Sequence, residues 1–297
     1  MSEPTPTILI VYGASGLGKS VDVLYSFPDA VFLCPAPGGL VAWRALTGVQ
    51  PREIIVNSID EAVRQITTAG KGAAGRYVVL EDFSILAERT VFALERRLSG
   101  WDVWSAFSSA VLRLREAALT TGIGLVLTCH EAPRRSEDGN VIKGGPKMPS
   151  KSTVMHLPHI GMLVLRAVTG TMVPPPLWTG YYSLGDANWT GKDRYCVVPF
   201  LGCPMNLREV LVRAAQVNPA VQVPPRPAML KSAEKAVDQV AAATLGGMDQ
   251  KTIATELGKN YVGVDPRLLR WIHRDGFARA MLSKGPGLFD AYAAPSA

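Results

Sequence analysis

The run Gly13-Ala14-Ser15-Gly16-Leu17-Gly18-Lys19-Ser20 constrains this chain more than any other feature because of what flanks it. Residues 7–12 (TILIVY) are continuously apolar, the pattern of a strand buried on both faces of a parallel sheet. Residues 19–26 read as a helix. A G-x-x-x-x-G-K-[ST] turn between such a strand and helix lets backbone amides wrap phosphates while the positive helix end faces them. In that setting residues 13–20 form the cradle, Lys19 reaches the β- and γ-phosphates, and the Ser20 hydroxyl holds Mg²⁺. The fold class that follows is α/β.

The rest of the first half keeps the alternation. Strands are expected at 30–34 (AVFLC), 53–56 (EIIV), 76–80 (RYVVL) and 123–128 (IGLVLT). Helices are expected at 59–69, with Asp60 and Glu61 in the first turn, and twice within 84–119, joined at Ser99-Gly100-Trp101. Residues 132–158 are rich in Pro, Gly, Ser and Lys and read as one long loop or hairpin, before further strands at 161–168 and 194–198. Residues 221–227 (VQVPPRP) have the composition of a stiff linker. They divide the chain into a core, 1–222, and a small C-terminal α-helical domain, 223–297.

In that second part helices are expected at 229–245 and 250–257, with Gly258 as a stop, and a last helix opens on Asp265 (N-cap) and Pro266. The pair resembles a helix-turn-helix whose second helix offers Arg267, Arg270, Trp271, His273 and Arg274. DNA contact is one reading; a packed helical bundle, or an oligomerisation or partner-docking role, is the other. The joining segment, 259–264, is longer than the tight turn usual for the motif.

A net charge of +6 favours polyanionic partners without specifying one. Cys34, Cys129, Cys196 and Cys203 show no C-x-x-C spacing, which argues for free thiols and a reducing cytoplasm. No apolar run is long enough to span a membrane.

Glu81 and Asp82 end the strand RYVVL, where P-loop enzymes keep a magnesium-orienting acid. Adjacent residues on a strand point to opposite faces, so one carboxylate is expected at the metal. The assignment is Asp82 to Mg²⁺ and Glu81 as base for the attacking water, with a pair of solvated loop acids as the alternative. His130 ends the next strand, and strand carboxyl ends line the ligand crevice of a parallel sheet. There it would sense the γ-phosphate, unless it is simply a structural histidine.

Four blocks in order carry a family resemblance over roughly residues 7–200: GASGLGKS, the strand ending LEDFS, the strand ending LTCHE with GGPKMPSK after it, and Trp189-Thr190-Gly191-Lys192-Asp193-Arg194-Tyr195. Together they resemble the RecA-like ATPases of bacteriophages, including the phage single-strand-annealing proteins. The resemblance implies a RecA-like P-loop core, a mostly parallel sheet in an αβα sandwich. The block from Lys192 is similar to the K-N-R-F-G motif of bacterial RadA. That likeness implies that Lys192 and Arg194 act in trans on a neighbour's nucleotide, in a ring or filament, where they stabilise transition-state charge. The loop after His130 would correspond to a DNA-contacting loop, with Arg134, Arg135, Lys143, Lys147 and Lys151 as phosphate contacts. Trp101 and Trp104 lie near the other expected DNA-facing loop, although packing in the core is their expected role. The chain departs from many relatives at residues 34–39 (CPAPGG), where Ala36 stands in place of a water-activating acid.

The expected function is Mg·ATP binding and hydrolysis coupled to single-stranded DNA in phage-type recombination, annealing or replication, in the (host) cytoplasm. One alternative is a motor or loader ATPase that remodels a nucleic-acid or protein complex, working with a DNA-binding protein partner. Another is a nucleotide-gated DNA-binding or scaffold protein with little turnover. A small-molecule kinase is disfavoured, since no Arg-rich lid segment stands out.

Overall fold

A computed structural model describes residues 6–38, 40, 51–70, 76–135, 137–138, 141–149, 160–169, 180–184, 189–198, 202–225, 233–264 and 266–284. Its strands are β1 (Ile8–Gly13), β2 (Val31–Cys34), β3 (Arg52–Ile55), β4 (Tyr77–Leu80), β5 (Gly124–Arg135), β6 (Val141–Pro146), β7 (Leu163–Thr169), β8 (Gly180–Ser183), β9 (Lys192–Asp193) and β10 (Cys203–Pro204). Its helices are α1 (Lys19–Ser26), α2 (Ile59–Ala69), α3 (Phe83–Glu95), α4 (Trp101–Thr121), α5 (Leu207–Val217), α6 (Glu234–Leu245), α7 (Gln250–Asn260) and α8 (Pro266–Lys284).

The sheet runs β10-β8-β7-β1-β5-β4-β2-β3, with β6 paired to β5 and β9 to β7. From β7 through β3 neighbours are parallel; β8 and β9 run antiparallel to β7, and β10 antiparallel to β8. This mostly parallel sheet with helices on both faces is a RecA-like α/β fold. Alternate side chains of β1 divide between two apolar cores, as a strand covered on both sides requires. Leu9 and Val11 join α1, α5 and the C-terminal helices; Ile8, Ile10 and Tyr12 join α2, α3 and α4. The C-terminal helices therefore share a core with the central strand: Val237, Ile253 and Phe277 lie in one cluster with Leu9.

Local chemistry explains where the elements stop and start. Ser58 caps α2 by accepting the Glu61 amide at 3.2 Å, and Gly70 ends it in a left-handed turn. Three expectations need correcting. Residues 194–198 are not a strand, because the Asp193 carboxylate accepts the amides of Tyr195, Val197 and Val198 at 2.6–2.8 Å and winds the segment into a turn. Gly258 does not stop α7, which continues to Asn260. Of the two readings of the segment after residue 132, loop or hairpin, the structure has the antiparallel hairpin, β5 running straight on from the expected strand. His273 and Arg274 are not on an exposed face; both are buried in α8. Asp265 and the side chains of Arg267, Arg270 and Trp271 lie outside the described residues. Among the described residues no helix is long and apolar enough to cross a membrane.

Two predictions follow from the packing. A Cβ on Gly13 would sit 2.5 Å from the Ala167 carbonyl oxygen of β7, against backbone that cannot yield. Gly13→Ala should therefore destabilise the fold by about 1–3 kcal/mol in urea unfolding. Burial pushes the His273 pKa down from 6.5 to about 4, against the pull of a backbone contact with Gln250. Between those values the unfolded chain binds the extra proton, so stability is complete above pH 6.5 and falls as pH drops towards 4. The wild type should lose about 2 kcal/mol more than His273→Met between pH 7.5 and pH 5, and an equal loss in both would overturn the assignment.

Candidate nucleotide site

β4 ends opposite Leu127 of β5 and β1 ends opposite His130, so the residues that follow β1 and β4 converge on Thr128–His130. After β1 the chain turns through Gly16 and Gly18, both left-handed (φ 80° and 81°), a conformation that side chains oppose. No side chain caps α1. The Lys19 ammonium folds back over the turn and donates to the carbonyls of Gly13 (3.0 Å) and Ala14 (2.7 Å). Burial pushes the Lys19 pKa down, while Glu81 and other nearby anionic groups pull it up.

The acid that meets the Ser20 hydroxyl is Glu81. Ser20 Oγ donates to Glu81 Oε1, and Thr128 Oγ1 of β5 donates to Oε2 at 3.0 Å. Burial pushes the Glu81 pKa up, and those two hydroxyls oppose the shift. Asp82, expected beside Ser20, turns elsewhere. It adopts a left-handed backbone (φ 52°) between β4 and α3, donates its amide to Thr128 Oγ1 at 2.8 Å, and places Oδ1 3.3 Å from His130 Nε2. Strand alternation does not apply to the two acids, because β4 ends at Leu80 and both lie in the turn beyond it. His130 is held by its main chain, its amide donating to Ser84 Oγ (3.0 Å) and its carbonyl accepting the Lys147 amide (2.7 Å).

These groups line a cleft of about 580 Å³, with Lys19, Ser20, Glu81, Asp82 and His130 on its walls. Ala36 lines it too, between Pro35 and Pro37, so that loop brings no carboxylate to the cleft. Arg89, which the sequence did not single out, also faces in and donates to the Pro35 carbonyl. Its spacing from Asp82, two helical turns along α3, is the one signal that would have marked it. A larger cavity, about 690 Å³ beside Phe27 and Tyr77, opens among the amino-terminal ends of the strands and gathers no comparable chemistry.

The donor set fits a hard divalent cation: one hydroxyl, a buried carboxylate against it, and a second carboxylate whose buried Oδ1 accepts no hydrogen bond. Ser20 and Glu81 are the residues that would hold it, with Asp82 in reach.

A second chain of contacts ties the cleft to the hairpin β5–β6. Glu131 pairs with Arg166 at 3.2 Å, and the Arg166 guanidinium lies 3.3 Å above the Trp189 ring. Trp189 stacks on Tyr12, the residue before the glycine turn, with centroids 6.5 Å apart, and Gly144 of the hairpin packs against the same indole.

Among the described residues, Lys192, Arg194 and Lys147 do not line the cleft. Lys192 lies opposite Val164, three residues earlier on β7 than the Ala167 that faces Gly13. Burial lowers its pKa, and the neighbouring cations Arg194 and Arg115 lower it further. Lys147 is exposed and pairs with Glu88 at 2.8 Å. Arg134 and Lys143 are register partners in the hairpin, but their side chains, that of Arg135, and all of Lys151 lie outside the described residues. Trp104 packs against the core as expected; Trp101 does not, being 78% exposed at the start of α4.

No family model matches the chain, and no curated protein matches it. Among solved structures it is similar to a KaiC-like protein from the hyperthermophilic archaeon Pyrococcus horikoshii, at 15% identity over 61% of this chain and 79% of that one. With a TM-score of 0.37 that likeness carries no argument, and the fold stands on the strand order itself.

Proposed function

We propose that this chain binds Mg·ATP at residues 13–20 and hydrolyses it, acting on single-stranded DNA in phage-type recombination, annealing or replication. The observation that carries the reading is the placement of Lys19 and Ser20 on an uncapped helix directly against the buried Glu81 carboxylate. Turn amides and the first turn of α1 bind the phosphates. Lys19 exchanges its two carbonyl partners for β- and γ-phosphate oxygens. Ser20 and Glu81, with Asp82 in reach, would hold magnesium, which would supply neutralisation of phosphate charge. The contacts favour a division of labour opposite to the one expected from sequence: Glu81 serves the metal, while Asp82 and His130, on the same wall, orient the attacking water.

Lys192 and Arg194 do not line their own subunit's cleft, and this supports their delivery to a neighbour's nucleotide in a ring or filament. Arg115 joins them as a third cation of that face. The hairpin β5–β6 is the surface for the DNA backbone, linked to the P-loop strand through Glu131, Arg166 and Trp189. A second reading, a nucleotide-gated scaffold with little turnover, is favoured by Ala36, which leaves that loop without an acid.

Phosphate release with and without single-stranded DNA tests the main reading. DNA should stimulate turnover, and Lys19→Ala should lower it by about 10²-fold or more. Turnover indifferent to DNA would remove the DNA role, and assembly on ATP without phosphate release would favour the scaffold. Mixing Lys19→Ala with Arg194→Ala subunits should restore part of the activity, whereas no recovery would place the whole site within one subunit.

A further inference from the structure

The helix that carries Lys19 and Ser20 is held from below by the far end of the chain. Asp22, one turn after Lys19, is fully buried. Its amide donates to the Gly18 carbonyl at 2.9 Å, so its main chain fixes the last glycine of the phosphate turn. Its carboxylate accepts from Tyr182 of β8 (2.5 Å) and from the Leu207 amide of α5 (3.2 Å), and pairs with Arg274 of α8 at 3.0 Å. Burial pushes the Asp22 pKa up, and Arg274 is the strongest influence against it. Arg274 is itself 1% exposed, with its guanidinium 4.8 Å from the centre of the Tyr25 ring, one helical turn further along α1.

The neighbours of Arg274 fix its height along α8. Asp275 accepts from Asn206, the residue that caps α5. Gly276 lies so close to α6 that a Cβ there would meet Val240 Cβ at 2.6 Å and the Val237 carbonyl at 2.7 Å. Helix α8 therefore cannot slide without breaking three contacts at once. A buried ion pair is a poor source of net stability, since desolvation offsets most of the attraction, and its best-attested use is to specify one register.

We infer that Arg274 is a positioning residue for the nucleotide site: through Asp22 it sets the seat of α1, so the C-terminal helices are part of the phosphate-binding apparatus and not an independent appendage. This rests on the nucleotide reading of residues 13–20. By reciprocity, a nucleotide that binds better to the seated α1 also tightens the docking of α8.

The test uses the full chain with Mg·ADP as the probe, at a temperature where each variant is folded by circular dichroism. Arg274→Met should weaken Mg·ADP binding about tenfold and raise the KM for Mg·ATP by a similar factor with kcat less affected, and Arg274→Lys should recover most of the loss. The double variant Asp22→Asn/Arg274→Met carries no unpaired buried charge, so it should regain stability while its Mg·ADP affinity stays reduced. A folded double variant with wild-type affinity would overturn the inference. In the wild type, Mg·ADP should slow amide hydrogen exchange in Pro266–Lys284; unchanged exchange there would overturn it as well. Failure of the wild type to bind Mg·ADP would sink the nucleotide reading itself, an outcome distinct from either of these.

Discussion

Everything at the cleft depends on one contact across the sheet, the Ser20 hydroxyl against the Glu81 carboxylate. It exists because β5 lies between β1 and β4, all three parallel, with β4 ending opposite Leu127 and β1 opposite His130, so the residues that follow both meet along Thr128–His130. Thr128 of β5 stands in the gap and binds both acids, donating to Glu81 and accepting the Asp82 amide. A one-residue slip of β5 would turn Thr128 to the opposite face and take its hydroxyl from both acids. Such a slip is opposed by the apolar cores on both sides of β1.

The same contact shows why burial and charge are compatible here. Glu81 and Lys19 are both buried, an arrangement costly for either alone. Each is compensated by fixed partners: two hydroxyls for the carboxylate, two carbonyls for the ammonium. Those partners are the groups that a phosphate and a metal would displace or share. Partners fixed by the fold in this way keep the reorganisation cost small for a ligand that would replace them.

What could be read from sequence divides along a physical line. The starts of the buried parallel strands, and helix 59–69 at both ends, were legible because apolar runs and first-turn acids such as Asp60 and Glu61 act locally; the ends of β5 and α7 were not. The P-loop was legible for the same reason. The short antiparallel strands β8 and β10 and the helix α5 were not read, since each takes its place from partners distant in sequence. The turn at 194–198 escaped because one side chain, Asp193, outcompetes the ladder for three amides. Which of Glu81 and Asp82 meets the Ser20 hydroxyl escaped because it turns on where β4 stops.

The tail makes the sharpest case. Arg274 beside His273 in a helix rich in arginine reads as a solvated, groove-binding face, and composition alone favours that. Charge on a helix is informative only once its partner is known, and Asp22 sits 252 positions earlier in the chain, inside a helix whose first turn the phosphate motif already claims. The residue between Lys19 and the core was therefore available to the sequence reader as an acid in a first helical turn, a position favourable to the helix dipole whatever its purpose. Only the packing of α8 beneath α1 distinguishes a dipole effect from a buried anchor. An exposed carboxylate there would gain from the dipole and need no cation, whereas one withdrawn wholly from water requires a charge such as Arg274 at its side.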